Sequence, residues 1–150
     1  MIDQTLMELC AALTIKLCDQ PKEYYERVAS RMEIDRMKLL TKDLEKKLIV
    51  NYETNKPFNI KKDFFPVVKF FGGSNCTWLI TEYDPEDELF FGLCDLGMGT
   101  PEMGYVSRKE LESIKFKPFG LGVERDRHWE ADKTLSQYAE MAQQKGRIEA

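Results

Sequence analysis

The chain has 150 residues, of which 43% are hydrophobic and 32% charged; this fits one folded domain with an accessory segment and excludes a disordered chain or two independent cores. Its formal net charge of −4 and pI near 5.2 argue against direct binding of nucleic acid, which draws most of its affinity from a basic surface. The same balance favours a protein partner with a basic surface.

The first 36 residues read as a helical extension. Leu6, Leu9, Cys10, Leu13 and Leu17 fall on one helical face. Pro21 then opens a second helix that buries Tyr24, Tyr25, Val28 and Met32. Two helices this short need a surface to pack on, either the body of the protein or another chain, so self-association through residues 1–36 is one reading. The N-terminus is acidic rather than basic, and no apolar run approaches membrane-spanning length. No membrane contact and a cytoplasmic location are therefore expected. The spread of Cys10, Cys18, Cys76 and Cys94, with no CxxC pair, suits free thiols in a reducing compartment.

Residues 37–150 read as a single α+β domain with its core between about 66 and 126. Thr41 is expected to cap a short helix that carries Leu44 and Leu48 and ends near Asn51. Asn51 to Asp63 lacks either period and contains Pro57, so it reads as a loop. Pro66 to Phe71 predicts a first strand, and Gly72-Gly73-Ser74-Asn75 a hairpin turn. Cys76 to Glu82 is rich in β-branched and aromatic residues and predicts a second strand.

Glu88 to Leu96 predicts a third strand, apolar on both faces and so expected at the centre of the sheet. Glu102 to Val106 is a fourth. Ser107-Arg-Lys-Glu110 is a capping box for a short helix to about Ile114. Leu121 to Arg127 predicts a fifth strand, and Asp132 a cap for a last helix to about Gln144. Short turns between strands favour an antiparallel meander of about five strands.

From Met37 onward the chain resembles an uncharacterised bacterial family, the domain of unknown function numbered 2958. The matching pieces are Met37-Lys-Leu-Leu-Thr-Lys-Asp-Leu44, Thr77-Trp-Leu-Ile-Thr-Glu82, Asp84-Pro-Glu86, Phe91-Gly-Leu-Cys-Asp95, Glu102-Met-Gly-Tyr-Val-Ser107 and Gly122-Val-Glu-Arg-Asp126. The resemblance implies an accessory protein of a mobile genetic element and implies no activity. Residues before Met37 depart from the family pattern.

Two constellations bear on function. Glu124, Asp126 and His128, at a spacing of two, share one face of an extended strand. They could ligate a divalent metal or work as an acid–base group in a small hydrolase or nuclease. His128 is the single histidine, so histidine chemistry must use it. The blander reading is a solvated strand end, with Arg125 and Arg127 pairing to neighbouring carboxylates.

The second is an acidic middle. Nine carboxylates stand against Arg108 and Lys109 between Glu82 and Glu112. Glu82, Asp84, Glu86, Asp87, Glu88, Asp95 and Glu102 are the candidates for holding a basic partner, against the alternative of a merely solubilising surface. Glycine pairs lack the phosphate-binding patterns and read as turns, and no serine sits in a nucleophile elbow. No cofactor is implied. The reading preferred from sequence is a non-enzymatic, acidic interaction protein that binds or inhibits a basic host defence or nucleic-acid-processing protein.

Overall fold

The computed structural model describes residues 39–57, 61–73 and 75–150; the two helices expected within residues 1–36 lie outside them. Helix α1 (Lys42–Asn55) starts at Thr41, whose hydroxyl accepts the Leu44 N–H at 3.4 Å. Four strands follow in hairpin succession: β1 (Val68–Gly72), β2 (Cys76–Asp84), β3 (Leu89–Asp95) and β4 (Glu102–Ser107). Helix α2 (Arg108–Ser113) leaves β4 directly, with Ser107 accepting the Glu110 N–H as the capping pattern predicts. A two-residue strand β5 (Glu124–Arg125) and helix α3 (Leu135–Lys145) complete the chain. Pro118–Gly120 is a turn with Gly120 at φ 64.

The sheet is antiparallel and has the order β4-β3-β2-β1-β5. The expected α+β class and five strands are present, and the first four form the meander. The fifth does not continue it: β5 crosses to the far side of β1, where Phe70 faces Arg125. That places β2 at the centre instead of β3. β2 is buried from Trp78 to Asp84, since β1, β3 and α1 surround it.

Both faces of the sheet are covered. On one, Val68, Phe70, Trp78, Ile80, Tyr83 and Phe90 pack with Leu39, Leu40 and Leu48 around α1 and with Leu111 of α2. On the other, Leu79 and Leu93 pack under Leu135, Tyr138, Ala139 and Ala142 of α3. The core thus extends past both ends of the 66–126 window, because the flanking helices supply whole apolar faces to it. α3 is capped at Thr134 rather than Asp132, with the Gln137 amide oxygen accepting the Thr134 N–H at 3.0 Å. Asp132 instead accepts the Tyr138 hydroxyl at 2.5 Å. Among the described residues no helix is long and apolar enough to cross a membrane.

Two local features shape the region where the chemistry lies. The β2–β3 register slips between Ile80 and Glu82, so Thr81 is an extra residue in β2. A one-residue slip exchanges faces. Beyond it Tyr83 joins Phe90 on the α1 face, while Glu82 and Asp84 stand beside Phe91 and Leu89 on the other. Pairing of β1 with β2 also ends at Ile80, which leaves the continuing edge of β2 without a strand neighbour. The end of α1 fills that place: Asn51 donates to the Thr81 carbonyl at 2.9 Å.

Candidate functional cleft

The end of α1, the last residues of β2, the turn after it and the adjoining parts of β3 and β4 enclose a cleft of about 240 Å³. Tyr52, Asn55, Lys56, Lys61, Glu82, Asp84, Asp87, Leu89 and Tyr105 line it. Small-molecule sites usually span about 300–1,000 Å³, so this space suits a group the size of one side chain.

Glu82 is buried, 9% exposed. Asn55 holds one carboxylate oxygen, Oε1, through its side-chain amide at 2.6 Å. Among the described residues nothing donates to the other oxygen, Oε2. Burial pushes the Glu82 carboxyl above its ordinary pKa, against the opposing pull of the Asn55 hydrogen bond and of Lys61. Asn55 is itself fixed, donating to the Lys62 carbonyl at 3.1 Å and accepting the Lys62 N–H at 2.9 Å.

Asp84 is held differently. The Tyr52 hydroxyl donates to its Oδ2 at 2.7 Å, and its Oδ1 accepts the Glu86 and Asp87 N–H groups at 2.9 and 3.4 Å. These bonds, the Tyr52 one foremost, keep the carboxyl below its usual pKa. In return the Tyr52 phenol is pushed up to about 12, chiefly by that bond. The Asp84 side chain therefore builds the turn that presents Asp87, whose exposed carboxylate enters no ion pair among the described residues.

The lysines of the cleft are partly engaged elsewhere. Lys56 lies 3.7 Å from Glu53 and over the Tyr52 ring, and Lys61 lies over the Phe91 ring. The Tyr105 ring, tilted against Phe91 with centroids 5.0 Å apart, forms an aromatic wall. An anionic floor, an anionic rim and an aromatic side are together suited to a planar cation.

The acidic residues singled out from sequence divide by place. Glu82, Asp84, Glu86 and Asp87 gather at or beside the cleft. Glu88 is paired with Lys109 at 2.6 Å. Asp95 is buried and accepts the Gly97 and Ile148 N–H groups, each at 2.9 Å; it pins the C-terminal tail and offers nothing to a partner. Glu102 is exposed, but it faces Cys94 at the opposite end of the β3–β4 ladder, about 17 Å along the strand from Leu89. The seven do not form one surface. Tyr52, Asn55, Lys61 and Tyr105 were not among the site residues read from sequence, since no periodicity brings the end of α1 to the end of β2.

The other constellation is not assembled. β5 ends at Arg125 and the chain bends at Arg127 and His128, so the common face stops at Asp126. Asp126 lies 3.9 Å from Lys69 and accepts the His128 N–H at 3.2 Å, while Glu124 and His128 are exposed. Among the described residues no three His, Cys, Asp or Glu side chains are placed to hold a metal ion. Cys76 and Cys94 are free and half-buried. Burial raises both thiols, Cys94 to about 11, which is the reverse of what a nucleophile needs.

A family model described as protein of unknown function (DUF2958) matches residues 39–149, and the chain belongs to that family. No curated protein and no solved structure matches it.

Proposed function

We propose that this member of the DUF2958 family is an interaction protein that holds a cationic side chain of a partner in the cleft between α1, β2 and β4. The supporting observation is Glu82, a buried residue whose carboxylate lines the cleft, with Oε1 held by Asn55 and, among the described residues, no donor to Oε2. A guanidinium placed there gains a charge-assisted hydrogen bond where the surrounding dielectric is low. It also relieves the cost of burying an ionised carboxylate. Asp87 supplies a second charge and Tyr105 a ring face.

Proteins that handle nucleic acid present arginines on their surfaces to meet phosphate. A host defence or nucleic-acid-processing protein is thus the partner class this cleft suits, in keeping with the mobile-element setting that the family resemblance implies.

The test is binding of a fluorescent arginine nonapeptide, read by anisotropy at constant salt. Asp87→Lys and Glu102→Lys each change the net charge equally, at opposite ends of the β3–β4 ladder. Asp87→Lys is expected to weaken binding at least tenfold and Glu102→Lys less than threefold. Equal losses would show that overall charge, not the cleft, governs the affinity.

A further inference from the structure

Among the described residues β4 is an edge strand. Natural edges are usually blunted by lysine, proline, a bulge or a covering segment. Glu102–Ser107 contains neither lysine nor proline, and its ladder with β3 runs through six successive pairs without a register shift. Met103 and Tyr105, two residues apart on one face, are 50% and 61% exposed. Tyr105 also lines the cleft. Between them, Gly104 has nothing within 4 Å of the position a Cβ would take.

We propose that β4 accepts an extended, arginine-bearing segment of a partner as a sixth strand, with one arginine turned into the cleft past Tyr105. The inference rests on the cleft reading above and adds the partner's backbone conformation and its pattern. Adjacent strands lie about 4.8 Å apart and opposed residues share a face. The residue opposite Tyr105 therefore projects on the side of the sheet where Glu82 and Asp84 stand. Two residues along, the next same-face side chain meets Met103, which favours an apolar group. The preferred segment alternates, with arginine and an apolar residue on one face and polar residues on the other. Backbone hydrogen bonds would supply affinity, and the cleft would set the register.

An acetylated, amidated octapeptide tests this, with threonine at every second position and arginine and valine in turn between them. Two counterparts, N-methylated at one or the other set of alternate residues, keep every side chain but lose the donors along one edge. One counterpart is expected to bind the full chain at least tenfold more weakly than the unmethylated peptide. Amide hydrogen exchange in Glu102–Ser107 is expected to slow on binding the latter. If both counterparts bind as well as the plain peptide, and Asp87→Lys still abolishes binding, strand addition is wrong and the cleft reading stands. If no peptide binds, both are wrong. Slow exchange in β4 of the free protein, with a dimer in sedimentation, would assign the edge to a second copy and overturn the proposal.

Discussion

Tyr52 and Asp84 hold each other in the protonation states that the cleft requires, phenol neutral and carboxylate ionised. A carboxylate whose folded pKa is depressed contributes stability above its unfolded value, near 3.9, and that contribution is lost as pH falls through the folded value. In Tyr52→Phe the Asp84 carboxyl is expected to titrate at higher pH, which a carbon-detected NMR titration would resolve. The stability gap between wild type and variant should be constant near neutral pH and close below about pH 4. Glu82 has the opposite sign. Its folded pKa is raised, so its cost appears as pH rises through that value, and a bound cation should move it back down. The residue types were visible in sequence as a run of acids, but their division into buried, paired and exposed was not. It follows from which backbone donors and side chains reach each carboxylate.

The helix α1 and the bulge in β2 show where local pattern stops being informative. The helix was expected to end near Asn51, because Asn51-Tyr-Glu-Thr-Asn55 lacks an apolar stripe. It continues to Asn55 because Asn51, Tyr52 and Asn55 each bond to β2 or to Lys62. The partners on β2 are distant in sequence. Strict alternation through β2 would put Glu82 and Asp84 on the face of Trp78 and Ile80, inside the apolar core. The extra residue at Thr81 moves them to the cleft and places Tyr83 against Phe90, with ring centroids 4.8 Å apart.

Gly92 lies opposite Ile80, beside this irregularity, and a Cβ there would come within 2.0 Å of the Leu79 carbonyl oxygen. Gly92→Ala should therefore part β2 from β3 and cost about 3 kcal/mol or more in urea unfolding. Gly104→Ala, with open space at the same position, should stay within about 0.5 kcal/mol of wild type. The two glycines look alike in sequence; only the neighbouring backbone separates them.

At the scale of the molecule, the class, the count of strands and the first three pairings follow from turn chemistry and short connections, and sequence conveyed them. The Gly-Gly and Asp-Pro turns fix which strands are neighbours. The side of the sheet that β5 joins depends on the long return from β4, which has no local signature. The Arg125 guanidinium, donating to the Leu39 carbonyl at 3.1 Å, ties that return to the residues before α1. The acidic middle was legible as charge, yet its exposed members stand at two ends of the β3–β4 ladder. The electrostatic character of the surface is consequently local, and the cleft is where it coincides with concavity and an aromatic wall.

The central claim is that this cleft receives a guanidinium. The most direct measurement is a ¹H–¹⁵N NMR titration of the full chain with N-acetylarginine amide. Saturable shifts confined to the amides and side chains of Tyr52, Asn55, Glu82, Asp87, Leu89 and Tyr105 are the expected result. Shifts centred on Glu102 or Glu124, or none that saturate, would contradict it.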